Sequence, residues 1–130
     1  MGGVIKSGVI LMNPKQSQTD CIFCKIASGE IPSKFVYKDK DVVIFADIHP
    51  VAPVHLLVVP VKHIASLAAM TDADAPLAGK MVAAANKVAK DQGLSKNGYR
   101  LTINSGADAG QLVPHLHIHL MGGRPLKWEN

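Results

Sequence analysis

The chain has 130 residues, 48% of them apolar, and its 14 basic against 10 acidic side chains leave a net charge of +4. That length suits one domain with a single core and is too short for two. Scattered lysines without a block of like charge, together with one Trp, two Tyr and three Phe, argue against a nucleic-acid binder that stacks bases. No apolar run approaches the roughly 20 residues of a membrane span, and "GVILM" is too short for a signal-peptide core, so a cytoplasmic protein is expected.

Residues 1–19 ("MGGVIKSGVILMNPKQSQT") are rich in Gly, Ser and Gln after a brief apolar patch. They are expected to form an N-terminal extension outside the fold, with Met12 as a candidate start, leaving 20–130 as a single domain. "DCIFCKIASGE" predicts a short helix with Asp20 as its N-cap and Gly29 as its stop. "FVYKD" and "VVIFADI", joined by a charged "KDKD" turn, predict a hairpin. After the proline loop "HPVAP", "VHLLVVPV" reads as a buried strand with Pro60 near its end.

"TDADAP" announces the longest helix, with Thr or Asp as cap and Pro76 in the first turn. Leu77, Met81, Ala84, Ala85, Val88 and Ala89 recur at helical spacing before Gly93 closes it. "YRLTIN" alternates as a strand, "SGADAGQ" is a glycine-bearing loop, and "VPHLHIHLMGG" forms the last strand. Consecutive strands joined by tight turns favour an antiparallel sheet, so the predicted class is α+β with helices packed on one side.

Three of the six histidines stand at alternate positions in that last run: His115, His117 and His119. On a strand they share one face, while Leu116, Ile118 and Leu120 anchor the other to the core. The face carrying the imidazoles is expected to be the wet one. Neighbouring imidazoles would be roughly 6–7 Å apart at their backbones, too far for all three to meet one ion easily. A division of labour is the more economical arrangement.

Cys21 and Cys24 lie at i and i+3, on one face of the first helix. One close pair cannot make a disulfide framework, so metal binding, a redox dithiol and two small buried side chains all stand as readings. His55, on a buried strand, reads either as a partner of the other histidines or as a satisfied core residue. His49, in the proline loop, is expected at the surface.

"Q-L-V-P-HLHIHL" resembles the signature of the histidine triad (HIT) superfamily, and "DCIFCKI", "EIPSK", "FADIHPVAPVHLLVVPVKH" and "NSGADAGQ" fit it in order. The ending "GGRPLKW" is similar to the Hint branch, the nucleoside phosphoramidate hydrolases. The resemblance implies a HIT-like fold: a five-stranded, mainly antiparallel sheet with one long and one short helix, dimerising. It implies a hydrolase acting on purine nucleoside monophosphate derivatives and releasing AMP or GMP. His117 would attack phosphorus and carry the nucleotidyl intermediate, and His119 would contact the phosphate or donate a proton.

By the same resemblance, Asn104, Gly110, Gln111 and Leu112 would contact phosphate and ribose, and Asp47 would hold the ribose hydroxyls. Phe23, Ile26, Phe45 and Ile48 would form the slot for the base, with His55 behind the catalytic histidines. Many members with this Cys-x-x-Cys bind zinc with two histidines, which implies a closed structural site of Cys21, Cys24, His63 and His115. No cofactor is required for the chemistry itself. One position departs from the animal Hint pattern: Leu112 stands where a serine lies near the scissile phosphate. A dinucleoside polyphosphate hydrolase and a non-catalytic nucleotide-binding module are the alternatives, and the "GGRPLKW" ending argues against the first.

Overall fold

The computed structural model describes residues 20–128, so the extension expected over 1–19 and the last two residues lie outside it. Five strands form one sheet: β1 (Phe35–Lys38), β2 (Val42–Ala46), β3 (Val54–Pro60), β4 (Tyr99–Thr102) and β5 (Ile118–Gly122). Their spatial order is β1-β2-β3-β5-β4, and every pairing is antiparallel. The fold is α+β, with a short helix α1 (Ile22–Ser28) and a long helix α2 (Ala75–Asp91). No helix among the described residues is long and apolar enough to cross a membrane.

The two helices lie on opposite faces of the sheet, which corrects the expectation that both pack on one side. β2 and β3 are apolar at nearly every position, so alternate side chains present an apolar surface on each face and both need cover. On one face Val42, Ile44, Leu56, Val58, Ile118 and Leu120 meet Met81, Ala84, Ala85, Val88 and Ala89 of α2. On the other, Val43, Phe45, Leu57 and Val59 meet Cys21, Phe23 and Ala27 of α1. Each fully buried aliphatic side chain contributes about 1.5–3 kcal/mol of burial, so neither face could stay bare.

The long helix begins as the sequence predicts. A 3-10 turn, Asp72–Asp74, leads into α2, and Thr71 and Asp74 form a reciprocal capping box with Pro76 following in the first turn. In α1 the cap is not Asp20 but Cys21, whose sulfur accepts the Cys24 N–H at 3.2 Å. The helix therefore starts one residue later than its acidic signal suggests. Gly29 ends it at φ +87°, a left-handed conformation that a side chain would strain. At Gly123, a Cβ would stand 2.8 Å from the Cβ of Pro53, so glycine lets the chain leave β5 past the proline loop.

Candidate active site

The last strand is shorter than the alternation suggests. β5 begins at Ile118, so of the three histidines only His119 belongs to the ladder. His115 and His117 lie in the extended approach to it, where Leu116 N–H donates to Ile64 O and His115 N–H to Val113 O. The two-face alternation persists nonetheless, with Leu116, Ile118 and Leu120 in the α2 core. The imidazole face is not wet, however: His115 is 0% and His117 6% exposed, because α1 covers it.

Leaving the ladder has a chemical consequence. A carbonyl not taken by a neighbouring strand is open to a side chain, and His117 Nδ1 donates to His115 O at 2.7 Å. A carbonyl only accepts, so the proton of His117 sits on Nδ1 and its Nε2 presents a lone pair. Phe23 stands edge-on to the ring, centroids 5.2 Å apart, and fixes its plane.

His119 meets His55 across the sheet. His55 on β3 is registered with Met121, so His119 is its diagonal neighbour on the same face. Their nitrogens, His55 Nε2 and His119 Nδ1, are 2.9 Å apart, and Asp47 Oδ2 lies 3.4 Å from the same His55 nitrogen. Burial, with His117 and His55 adjacent, pushes His119 down to about 4, against a weaker opposing pull from Asp47. The ring is therefore uncharged at neutral pH.

His117 and His119 open onto a cavity of about 480 Å³. Its wall contains Phe23, Ile26, Phe45, Asp47, Ile48, Asn104, Gly110 and Leu112, which brings nearly all the sequence-selected residues together. The wall is mostly apolar on the α1 side, and Ile48 and Leu112 are 86% and 91% exposed at its rim. Asp47 is held by the His49 N–H on Oδ1 at 2.8 Å.

Gln111 is the exception to that grouping. Its side chain accepts from Gly106 N and donates to Ala65 O and Val113 O, so it braces the loop and does not line the cavity. Conversely, His49 does line it while remaining exposed, as expected of a loop histidine. Ile31, Pro32 and Ser33 also line it, from the "EIPSK" segment, whose only sequence signal was its place in the resemblance.

Beside this cavity, Cys21, Cys24, His63 and His115 bring one potential ligand atom each within 4.8 Å of the others. His115 Nε2 donates to Pro60 O at 2.9 Å, which leaves its Nδ1 bare and facing the cysteines. From that Nδ1 the distances are 3.2 Å to Cys21 Sγ, 3.5 Å to Cys24 Sγ and 3.1 Å to His63 Nδ1. Cys24 Sγ lies 3.2 Å from His63 Nδ1.

A tetrahedral zinc with ordinary Zn–S and Zn–N bonds needs ligand atoms about 3.3–3.8 Å apart, so the four residues fit one ion with little adjustment. Burial and the adjacent Cys21 push the Cys24 thiol up to about 12, and burial pushes His115 down to about 4 and lowers His63. Neutral imidazoles are the form that binds a metal, and a dication would reverse the penalty on the thiolates.

These features have counterparts in known proteins. The family model described as "HIT domain" matches residues 28–126. The chain belongs to the HIT family. Protein HitA of Neisseria gonorrhoeae is 50% identical over 103 residues, covering 79% of this chain and 95% of that one. A HIT family hydrolase from Legionella pneumophila Philadelphia 1 superposes with a TM-score of 0.82 at 48% identity, covering 83% of this chain and 96% of its own. A zinc-bound histidine triad family protein from Mycobacterium smegmatis superposes with a TM-score of 0.70 at 30% identity, covering 80% and 75% of the two chains. Within this HIT protein, therefore, the three alternating histidines differ in surroundings: one faces sulfur, one a carbonyl and one a second imidazole.

Proposed function

We propose that this protein hydrolyses purine nucleoside phosphoramidates and related adenylates through a nucleotidyl intermediate on His117, releasing the nucleoside monophosphate. The observation that carries the reading is the His117–His115 carbonyl hydrogen bond, which leaves the Nε2 lone pair at the cavity side of a buried ring. That lone pair forms the bond to phosphorus while the bond from phosphorus to the amine nitrogen breaks. The departing amine takes up a proton from solvent in the open cavity, since Leu112 has none to offer. Water then attacks the adduct and gives up a proton to solvent, the P–Nε2 bond breaks, and the lone pair returns to His117.

The base would lie against Phe23, Ile26, Phe45 and Ile48, and Asp47 would accept from the ribose hydroxyls. Asn104, Gly110 and the backbone at Leu112 would approach the phosphate. Zinc held by Cys21, Cys24, His63 and His115 would be structural, tethering α1 to the extended segment that carries His117. A homodimer is expected from the resemblance, and β4 offers a sheet edge with no further strand paired to it among the described residues. Replacing His117 by Ala and measuring AMP release from an adenosine 5′-phosphoramidate tests the reading: turnover should vanish, and undiminished turnover would refute it.

A further inference from the structure

The "GGRPLKW" ending carries an arginine, Arg124, that touches the cavity only through a loop. Residues 47–53 connect β2 to β3, and the connection is closed at its base by the Asp47 N–H donating to His55 O at 3.0 Å. One limb of this loop, Asp47, Ile48 and His49, lines the cavity. The other limb, from Val51 to Pro53, lies against the segment that leaves β5, joined to it by a hydrogen bond and a close approach. Arg124 Nη2 donates to Val51 O at 2.7 Å. Gly123, at φ +98° and without a side chain, lets the backbone pass beside Pro53.

The guanidinium that makes this tie is itself held. Arg124 Nη1 donates to Pro125 O at 2.8 Å, so one arm of the fork is anchored to its own segment while the other reaches the loop. Both bonds are short for N–H donors, as charged donors tend to be. A planar fork with one arm fixed has little freedom left for the other, so the reach to Val51 is set in advance.

What the tie controls is the direction of the Asp47 carboxylate. Asp47 Oδ1 accepts the His49 N–H at 2.8 Å, so the carboxylate follows the backbone two residues further along the same loop. Ile48 and His49 are exposed, and packing does little to hold that limb. Such a loop keeps its shape through the hydrogen bonds at its base and on its other limb. Freeing Val51 from Arg124 lets His49 turn, removes its N–H from Oδ1 and lets the carboxylate swing. The charge stays in the cavity wall, but its aim is lost.

We propose that Arg124 is a positioning residue: by fastening the β2–β3 loop at Val51, it holds the Asp47 carboxylate in the direction that receives the ribose hydroxyls. The role rests on the nucleotide-binding part of the reading above and not on the phosphoramidate as substrate. Arg124 is exposed and does not line the cavity, so it acts through the loop alone. A ribose is held alike before and during attack on phosphorus, so the effect belongs in binding and not in turnover.

Calorimetric titration of the full chain with AMP and with 2′,3′-dideoxy-AMP, which lacks both ribose hydroxyls, tests the assignment. Arg124→Ala should weaken AMP binding by on the order of 10-fold and leave dideoxy-AMP binding unchanged within about 2-fold. Because the side chain is exposed, Tm should stay within about 3 °C of wild type. With an adenosine phosphoramidate, the same loss should appear in KM, with kcat little changed.

An equal loss for the two nucleotides would make Arg124 a source of positive field at the phosphate and overturn the positioning role. Unchanged AMP binding would overturn it too, as would a loss accompanied by a fall in Tm of about 10 °C or more, the mark of a general structural residue. Wild-type protein that binds AMP but turns over no phosphoramidate would end the hydrolase reading, while the paired titrations still decide the role of Arg124. Wild-type protein that binds no AMP would overturn both.

Discussion

His115 is joined to His117 twice, through the chain and through the 2.7 Å hydrogen bond from His117 Nδ1 to the His115 carbonyl. The side chain of the same His115 faces two cysteines and His63. The group that orients the His117 ring thus belongs to a residue whose side chain lies in the four-residue cluster. Anything that loosens the cluster should be felt at His117 without touching the cavity.

Metal analysis should accordingly give about one zinc per chain for protein purified without chelator, and Cys24→Ser should abolish it. Loss of a ligand present at 100 to 1,000 times its Kd removes about 2.7–4.1 kcal/mol of stability. For a domain near this size that corresponds to a fall in Tm of roughly 10–25 °C. The phosphoramidate kcat should fall together with the metal content. A Cys24→Ser protein of unchanged Tm and kcat would show that the cluster does not position His117.

Leu112 gives a cleaner functional probe because it is 91% exposed and lines the rim of the cavity. Leu112→Ser should leave stability within about 0.5 kcal/mol, as for surface substitutions generally. It places a hydroxyl donor beside the scissile bond, so kcat should rise most for amines that are poor leaving groups. A uniform change across amines, or none, would show that the side chain at 112 does not reach the departing atom.

Much of this arrangement was legible in the chain. The spacing from Leu77 to Ala89 specified the buried face of α2, and the alternation from His115 to Leu120 sorted the residues onto the right faces but not the burial of the imidazole face. What the alternation could not convey was where the ladder begins. That depends on Leu116 N–H pairing with Ile64 O in place of β3, a long-range contact with no local signature. Helix placement was missed for a related reason: "VVIF" and "LLVV" mark burial but not the number of layers burying them. Asp20 was a good local cap signal, displaced by a cysteine whose position the cluster dictates. Gln111 sat inside a binding motif, yet its amide matched the three backbone groups of its own loop. The hold of Arg124 on Val51 was beyond reach, since the two stand 73 residues apart.

Stability should also carry a specific acid signature from the start of α2. Asp74 accepts from Lys62 at 2.7 Å and from the Thr71 N–H at 2.9 Å, which hold its carboxyl below the usual carboxylate range. A carboxyl depressed in the folded state contributes stability that is present above its unfolded pKa, near 4, and lost as pH falls through the folded value. Asp74→Asn should therefore lower the urea midpoint at pH 7, and its deficit relative to wild type should shrink steadily below pH 4. Acid release of a metal held by the four-residue cluster would affect both proteins alike, so the difference isolates Asp74. A deficit that is constant with pH would mean that Asp74 acts through packing alone.

The proposed mechanism requires His117 Nε2 to form a bond to phosphorus. Mixing the protein with an adenosine phosphoramidate, quenching within milliseconds and analysing its peptides by mass spectrometry under mildly alkaline conditions tests it most directly. An adenylyl group should be found on the His117 peptide, appearing before AMP and decaying as AMP accumulates. AMP released at full rate with no adduct on His117, or with the adduct on another residue, would contradict it.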